Sequence, residues 1–360
     1  AQLPTLTADA AASFTRQNDA RQNSYSADLG FSAFEIDLFG RVRNLTQSAL
    51  ETYLATEEGA RSTRIALIAE TATAYATLAA DQELLALSRE TQASAQRTLD
   101  LTRSLNTAGL AGKLDVHQAE TIVEQAASDV AANITQVAQD RNALDLLVGV
   151  PVEQALLPQS LDSLIAGVAK VPAGLTSDVL LRRPDVLQAE HQLKAANADI
   201  GAARAAMFPT ISLTSAIGVA SSALSSLFSG GGFTWSASPS ASLPIFGGPN
   251  RGNLDYSKAQ RDLYVAQYEK AVQTAFQEVA DGLARAGTID AQQAAQRRLV
   301  TASQRAYDLA DQRYRAGIDT FLTALTSQRS LYSARQSAIA TDLALATNRI
   351  LLYRVIGADQ

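Results

Sequence analysis

The feature that most constrains the fold is a very long run without a helix breaker. Between Asn44 and Asn106 there is no proline and a single glycine, Gly59. Ala, Leu, Glu, Gln and Arg dominate this run, and these residues favour helices. A helix of such length would extend ~90 Å at about 1.5 Å per residue. That is too long for a small globular domain, so the run predicts a helical rod or tube.

A turn and a return helix follow this run. Gly109 and Gly112 suit a helix C-cap and turn, and Asp115 suits the N-terminus of the next helix. The second helix is expected over residues 114–148. Together the two helices predict an antiparallel hairpin.

The same unit recurs in the second half of the chain. A helix expected over residues 253–315 leads through a turn to a return helix over residues 321–356. Equivalent positions repeat at an offset of about 208, which indicates an internal duplication. The matched residues are Phe39 and Phe246, Glu70 and Glu278, and Ala108-Gly109 and Ala316-Gly317.

Four segments alternate apolar and polar residues, as β-strands do. In the last of them, Phe233, Trp235 and further apolar residues alternate with Ser and Thr. In the second, the apolar phase shifts between Phe31 and Phe34, which predicts a β-bulge. The segments span residues 5–15, 25–38, 210–220 and 233–245.

Two interpretations of these strands remain open. One is a soluble sheet with a single buried face. The other is an outer-membrane barrel whose apolar side faces lipid and whose Ser/Thr side faces water. Four strands cannot close a membrane barrel, and an open sheet edge is unstable in lipid. The second interpretation therefore needs several copies of the chain, and three copies would supply twelve strands.

Composition excludes several classes of function. The formal net charge of −6 and the pI of about 5.1 argue against nucleic-acid binding. There is no cysteine, and His117 and His191 lie far apart in sequence, so no metal site is expected. The chain contains no nucleophile–His–acid set, P-loop or G-x-G-x-x-G motif, so neither catalysis nor a cofactor is expected. No signal peptide and no transmembrane helix are visible.

Several long motifs resemble those of a known family. They are "FEIDLFGRVRN", "VPAGLTSDVLLRRPDVLQAEHQLKAANADIGAARAAMFPTISL", "VAQYEKAVQTAFQEVADGLA" and "RYRAGIDTFLTALTSQRSLY". Through them the chain resembles the outer-membrane efflux protein family along essentially its whole length. The resemblance is to the OprM-like, NodT-type lipoprotein branch, which is related to TolC.

This resemblance implies a mostly helical fold with membrane β-structure. A homotrimer would form a 12-stranded outer-membrane β-barrel, with four strands per protomer, continued by a long periplasmic α-helical barrel. A small mixed equatorial domain would surround that tube. The expected segments are a first strand pair (1–39), a first long hairpin (40–148), an equatorial segment (149–180), a helix (181–207), a second strand pair (208–246) and a second long hairpin (247–356).

The implied function is the exit duct of a tripartite efflux pump in the Gram-negative outer membrane. The duct would passively conduct drugs or other toxic small molecules out of the periplasm, where most of the chain would lie. Its partners would be outer-membrane lipid, a periplasmic adaptor and an inner-membrane resistance-nodulation-division transporter. A lipid is expected at the N-terminus of the full-length protein, on a cysteine absent from this sequence. Alternatives are a type I protein-secretion channel, a metal-efflux channel or a soluble structural coiled coil.

The family closes its periplasmic tip on the helix that follows the second hairpin turn. By motif, those gate positions are Leu322, Thr326 and Arg329, which share one helix face. The family usually has Asp where Thr326 stands, which puts an ionic latch in doubt. The alternative is that Leu322 is ordinary packing core and Arg329 a solvated charge.

Two further sets of residues follow from the resemblance. The two hairpin turns resemble the adaptor-docking tips, although plain turn chemistry would explain them as well. The strand-to-helix turns would carry glycines that permit the change of direction. The tip residues are Gly109, Leu110, Tyr314, Arg315 and Gly317, and the turn residues are Gly40, Gly247 and Gly248.

Overall fold

The computed structural model describes residues 3–17, 20–170, 178–229, 232–245 and 248–356. Within these residues the chain forms seven α-helices and four β-strands. It divides into two compact units, Ala1–Gly59 with Asp185–Ala271 and Ala60–Pro184 with Val272–Gln360. The strands are β1 (Thr7–Gln17), β2 (Ala20–Glu35), β3 (Thr210–Ser221) and β4 (Phe233–Ser242). The helices are α1 (Arg41–Thr107), α2 (Lys113–Val148), α3 (Leu161–Gly167), α4 (Asp178–Leu181), α5 (Pro184–Ala205), α6 (Asn250–Arg315) and α7 (Phe321–Val355).

The strands of the first unit form one antiparallel sheet in the order β1-β2-β3-β4. All four predicted strands are confirmed. The predicted bulge is also confirmed, because the pairing of β2 with β3 shifts between Phe31 and Phe34. Ala33 lies inside the bulge with a φ of 52°, in the left-handed region that alanine rarely adopts.

The sheet has two chemically different faces. Cross-strand partners point to the same side, so register and alternation assign each residue to a face. The apolar face carries Ala8, Ala10, Ala12, Phe14, Tyr25, Ala27, Leu29, Phe31, Phe34, Ile211, Leu213, Ile217, Val219, Phe233, Trp235, Ala237, Pro239 and Ala241. The polar face carries mainly Ser, Thr, Ala and Gly, with Asp9 and Asp28 on neighbouring strands.

Two glycines mark a close approach of strands on the polar face. A Cβ atom on Gly218 would lie 2.6 Å from the Cβ of Asp28, its partner in β2. A Cβ atom on Gly30 would lie 3.1 Å from the Cβ of Ala216. Opposed Cβ atoms of antiparallel strands are normally about 4.5–5.5 Å apart. The backbones of β2 and β3 therefore come unusually close on this face, and only a residue without a side chain fits at these two positions.

A Gly218→Ala substitution should disturb this close approach. The added Cβ would meet the backbone oxygen of Ala27 and the Cα of Asp28, so the strand itself must shift. We expect the free energy of unfolding in detergent to fall by about 2 kcal/mol, measured by circular dichroism in denaturant. Gly252→Ala is the matched control, because nothing lies within 4 Å of its added Cβ and alanine favours the helix there. Equal effects at both positions would contradict the close approach.

In the same unit, α5 packs against the first part of α1. His191 Nδ1 lies 2.6 Å from Glu51 Oε2, and both side chains are mostly buried. The hydrogen bond with His191 lowers the pKa of the Glu51 carboxyl. His191 thus acts as a hydrogen-bonding residue between two helices.

The second unit is built from the long helices. All four predicted long helices are confirmed, each to within three residues at either end. One core cluster, which contains Leu99, Ile122, Tyr314 and Phe321, joins α1, α2, α6 and α7. Another joins α1, α6 and α7 to the short helix α3 and uses small residues such as Ala76 and Ala346, both fully buried. Small side chains allow the helix backbones to approach closely.

An ion-pair triad connects three segments of the second unit. Arg183, only 7% exposed, donates through Nη2 to Glu278 Oε2 at 2.8 Å and through Nη1 to the Val355 carbonyl at 3.1 Å. Arg354 Nη2 donates to the other oxygen of Glu278 at 3.1 Å. The duplicated counterpart, Glu70, is exposed. The two repeats therefore use this glutamate differently.

A pair of carboxyl groups lies between α1 and α2. Burial, followed by a hydrogen bond and repulsion from Asp140, raises the pKa of Asp81 to about 7. Asp140 accepts a hydrogen bond from Gln136 Nε2 at 2.9 Å through its other oxygen. The Oδ2 atom of Asp140 is buried, and no other donor among the described residues reaches it. One shared proton therefore satisfies the pair best.

This pair predicts a pH-dependent stability. The folded-state pKa of Asp81 lies above its unfolded value of 3.8, so the folded protein binds the extra proton. The stabilisation that this extra proton contributes is therefore greatest below about pH 4, and it is lost as the pH rises through about 7. We expect a loss on the order of 1 kcal/mol, because water screens a partly exposed pair.

The measurement is thermal unfolding of wild type and Asp81→Asn across this pH range. The variant should show a flatter pH dependence, whereas Asp290→Asn, at an exposed carboxylate paired with Lys170, should leave the slope unchanged. An unchanged slope in Asp81→Asn would show that the two carboxyl groups do not share a proton.

Candidate functional site

The predicted gate residues lie on one exposed face of α7. Leu322 is 58% exposed, and Thr326 and Arg329 are exposed as well. The Thr326 hydroxyl donates to the Leu322 carbonyl at 2.8 Å, one helical turn earlier. Among the described residues, Arg329 has no hydrogen-bond or ion-pair partner.

The opposite face of α7 is the one that packs inside the chain. Phe321, Ala324 and Leu325 are buried there in the cluster shared with α1, α2 and α6. Leu322 is therefore not packing core of the single chain, which was the alternative to the gate. An exposed leucine, threonine and arginine in one line are free to meet water or another copy of the chain.

Both hairpin turns use the same backbone cap. Gly109 and Gly317 have φ values of 74° and 70°, in the left-handed region that favours glycine. After α1, the Leu110 amide donates to Leu105 at 2.8 Å; after α6, the Ile318 amide donates to Arg313 at 2.9 Å. These are Schellman caps, which satisfy the last carbonyls of each helix. The duplication thus extends to the hydrogen bonds of the turns.

The first turn presents an apolar tip held by charged neighbours. Leu110 is 77% exposed at its apex. Glu120 of α2 accepts from Arg103 Nη2 at 2.8 Å and lies 2.9 Å from His117, and the Arg103 hydrogen bond is the main cause that lowers the pKa of Glu120.

The predicted capping role of Asp115 is confirmed, since its carboxylate accepts from the Gly112 amide at 3.1 Å.

In the second turn, one predicted docking residue is not at the surface. Tyr314 is buried, with its hydroxyl 3.0 Å from Thr102 Oγ1 and its ring 5.4 Å from that of Phe321. Its ring fills the space between helices. Tyr314 therefore stabilises the turn from inside and provides no surface on which a partner protein could dock. The exposed residues of this turn are Arg315, which pairs with Asp311, and Ala316, Gly317 and Ile318.

Of the two predicted strand-to-helix glycines that the structure describes, one has a conformation that requires glycine. Gly40 has a φ of 80° and precedes α1 directly. Gly248 has no φ in the left-handed region, and a Cβ there would meet only ordinary contacts. Gly247 lies outside the described residues. At the first turn, Asp37 caps α1 by accepting from the amides of Val42 and Arg43, a role that the sequence analysis missed.

A polar network inside the helical unit was also missed. The Tyr332 hydroxyl of α7 donates to Asp129 of α2 at 2.9 Å and lies 3.1 Å from Ser88 Oγ of α1. Asn133 donates to Ser88 at 2.8 Å. Burial is the main cause that raises the pKa of Tyr332. The only sequence signal is a serine at a position where the helix pattern expects an apolar residue.

The described part of the chain offers no other obvious chemistry. None of its helices is both long and apolar enough to cross a membrane. Nor do the described residues bring together three His, Asp or Glu side chains that could hold a metal ion.

Comparison with known proteins gives a consistent result. Residues 1–150 and 175–358 match the family model described as "Outer membrane efflux protein". The antibiotic efflux pump outer membrane protein ArpC of Pseudomonas putida is 52% identical over 93% of this chain and 69% of its own length. The solvent efflux pump outer membrane protein SrpC of the same species is 46% identical over 99% of this chain and 77% of its own.

A solved structure agrees with these sequence matches. The open state of the MtrE outer membrane channel of Neisseria gonorrhoeae superposes with a TM-score of 0.89 at 38% identity. The match covers 99% of this chain and 81% of that one.

Proposed function

Because this chain belongs to the outer membrane efflux protein family, we propose that it serves as the exit duct of a tripartite pump. The protein is an outer-membrane channel of an efflux system in Gram-negative bacteria, with a large part of the chain in the periplasm. The observation that carries the proposal is the sheet, with its apolar face, its polar face and two edges that are unpaired within the described residues. The duct itself performs no catalysis, and the energy comes from the inner-membrane partner.

Three copies close one barrel in this proposal. The sheet ends in β1 on one side and β4 on the other, and neither edge is paired within the chain's own described sheet. Unpaired backbone groups are strongly unfavourable in lipid, so each β4 must pair with the β1 of a neighbour. Three protomers with four strands each give a twelve-stranded barrel, an even number in the range of membrane barrels.

The height of the apolar face supports a membrane location for this barrel. Its rows run from the pair Tyr25–Ser221 to the pair Ile211–Ala241. The ten residue-to-residue steps of β3 that separate these rows extend about 33 Å, or about 25 Å across the membrane at a tilt of about 40°. The apolar band of an outer-membrane barrel is also about 25 Å tall.

Aromatic residues stand at both ends of that band, as in membrane barrels. Phe14 and Tyr25, in edge-to-face contact at 5.7 Å, lie toward the end far from the helices. Phe31 and Phe34, at 6.1 Å, lie toward the helix end. We propose that these two groups mark the outer and the periplasmic interface of the membrane.

In this proposal, the polar face of the sheet lines the lumen of the barrel. Hydroxyl groups line it, for example Ser212 and Ser240, whose Oγ atoms are 2.8 Å apart. Such a surface is wetted without binding a solute tightly, which suits passive conduction.

The gate belongs to the same proposal. Three copies of Leu322 form an apolar constriction at the periplasmic end of the helical tube, and a narrow apolar ring can exclude water. Arg329, two turns further along, has its partner in a neighbouring protomer. Thr326 brings no carboxylate, so the closed state does not depend on bound cations at this position.

The partners are proposed from the resemblance and the two turns. A periplasmic adaptor docks on the tips around Gly109, Leu110, Arg315 and Gly317, and an inner-membrane resistance-nodulation-division transporter supplies the cargo. Tyr314 stabilises the second tip from inside. A lipid on an N-terminal cysteine of the full-length protein remains part of the proposal.

We propose organic amphiphiles as the cargo. Relatives similar along most of this chain are named for antibiotic, solvent and toluene efflux. A lumen lined mainly by hydroxyl groups, as proposed here, passes such molecules without selecting among them.

The test is deletion of the full-length gene in its host. We expect increased sensitivity to unrelated antibiotics, detergents and toluene, restored by the wild-type gene on a plasmid. Sensitivity to copper, zinc or cadmium alone would replace the proposed cargo by metal ions. No change in either panel, in a strain that also lacks close paralogues, would refute the proposed cargo.

A further inference from the structure

The connection between β3 and β4 differs in composition from the rest of the surface. No charged residue occurs between Arg204 and Arg251, a stretch that includes both strands and their connection. The hairpin between β1 and β2 is different, because Arg16 and Arg21 pair across it. The two connections lie at the same end of the sheet, far from the helices, yet only one of them carries charge.

The β3–β4 connection also exposes large apolar side chains. In residues 222–229, Leu224 is 64% exposed and Phe228 is 80% exposed. Leu227, by contrast, is only 6% exposed. A solvent-exposed loop with two bare apolar side chains and no charge is unfavourable in water.

The direction of the loop is set by a serine pair. Ser221 lies on the apolar face, because it pairs in register with Tyr25. Its Oγ is 2.6 Å from the Oγ of Ser226, so the loop bends toward the apolar face. Phe228 lines an open depression of about 390 Å³ over β1, β2 and β3, together with Ala10, Leu29 and Ile217 of that face.

We infer that residues 222–229 are an interfacial anchor that inserts Leu224 and Phe228 among the acyl chains of the outer membrane's outer leaflet. The inference rests on the proposed membrane orientation, in which the apolar face meets lipid. The loop is continuous with that face and lies beside its outer aromatic group. Amphipathic segments of this kind lie at the boundary between headgroups and acyl chains.

Lipid as the occupant follows from the direction and the composition of the loop. A lid over the pore would have to bend toward the polar face. The Ser226 hydroxyl instead lies beside Ser221 on the apolar face, so the loop bends in the other direction. A water-exposed surface loop would carry charge, as the β1–β2 hairpin does. The exposed Leu224 and Phe228 instead extend the lipid-facing surface beyond the strands.

The test uses the absence of cysteine from residues 1–360. Phe228→Cys in the full chain is labelled with a polarity-sensitive fluorophore and reconstituted in phosphatidylethanolamine–phosphatidylglycerol vesicles. Quenching by a lipid with a nitroxide on its acyl chain is compared with quenching by iodide in water. Trp235→Cys on the apolar face and Ser238→Cys on the polar face are the two reference positions.

We expect the label at position 228 to behave like that at position 235, with several-fold stronger quenching by the nitroxide lipid than by iodide. Quenching mainly by iodide would overturn the anchor and place the loop in water or over the pore. Protection from both quenchers would overturn it in favour of contact with a second copy. If the label at position 235 is itself not quenched by the lipid, the proposed membrane orientation fails, which is a separate result.

Discussion

A Leu322→Ser variant should conduct ions several-fold better than the wild-type channel in planar bilayers. In the proposed trimer, three exposed leucine side chains meet at the narrowest point, where an apolar ring excludes water. Serine removes most of the apolar volume and offers a hydroxyl, so the constriction becomes wider and wets more easily. Cells with the variant should also become more sensitive to large hydrophilic antibiotics that enter through an open duct.

Leu309→Ser is the matched control for this prediction. Leu309 of α6 is 61% exposed, close to the 58% of Leu322, but it lies outside the proposed gate. Its replacement should leave the conductance unchanged. If both variants conduct alike, or neither differs from wild type, Leu322 is not the constriction.

Arg183→Ala should reduce the free energy of unfolding by about 3 kcal/mol, because it breaks a largely buried ion pair and leaves acceptors behind. The guanidinium bonds Glu278 and the carbonyl of Val355, at the end of the last helix. Arg354 still neutralises part of the Glu278 charge. The loss in the free energy of unfolding therefore stays at the lower end of the range for buried ion pairs. Denaturant unfolding in detergent, followed by circular dichroism, measures the loss.

Two further variants make this measurement specific. Lys170→Ala breaks a pair with Asp290 whose side chains are 65% and 52% exposed, so it should lose less than about 1 kcal/mol. Arg183→Lys keeps the charge but not the planar set of donors, so its stability should fall between wild type and Arg183→Ala. A loss in Arg183→Ala no larger than in Lys170→Ala would show that Arg183 does not hold the last helix in place.

Patterns that repeat along the chain made much of the fold predictable. The helices follow from long stretches without breakers, and the strands from an alternation that is strict in β4 and is interrupted in β3 by Ser215 and Ser221. Even the bulge was visible, because its one extra residue moves Phe34 back to the side of Phe31. In each case one local rule decides the structure.

Contacts between distant segments were not predictable in the same way. Asp81 and Asp140 lie on different helices, and only the packing of α1 against α2 brings their carboxyl groups together. Arg183 and Val355 meet from opposite ends of the second half of the chain. Tyr314 shows the same limit, because its motif indicated a turn but not that the ring points inward.

The candidate gate was predictable only through the resemblance. Spacing placed Leu322, Thr326 and Arg329 on one side of a helix, but the helix has another side that is just as regular in sequence. The burial of Phe321 and Leu325 identifies the packed side and leaves the gate side exposed. Its role as a constriction stays a prediction until the conductance is measured.

The two Schellman-capped turns have a consequence for affinity. They share one backbone geometry but differ in side chains, with Leu110 on one and Ile318 on the other. A partner with two matching modules could engage both turns of a single chain, so that the second contact forms at high effective concentration. Two weak interactions would then add up to strong avidity, and a mutation in either turn alone would be enough to abolish it.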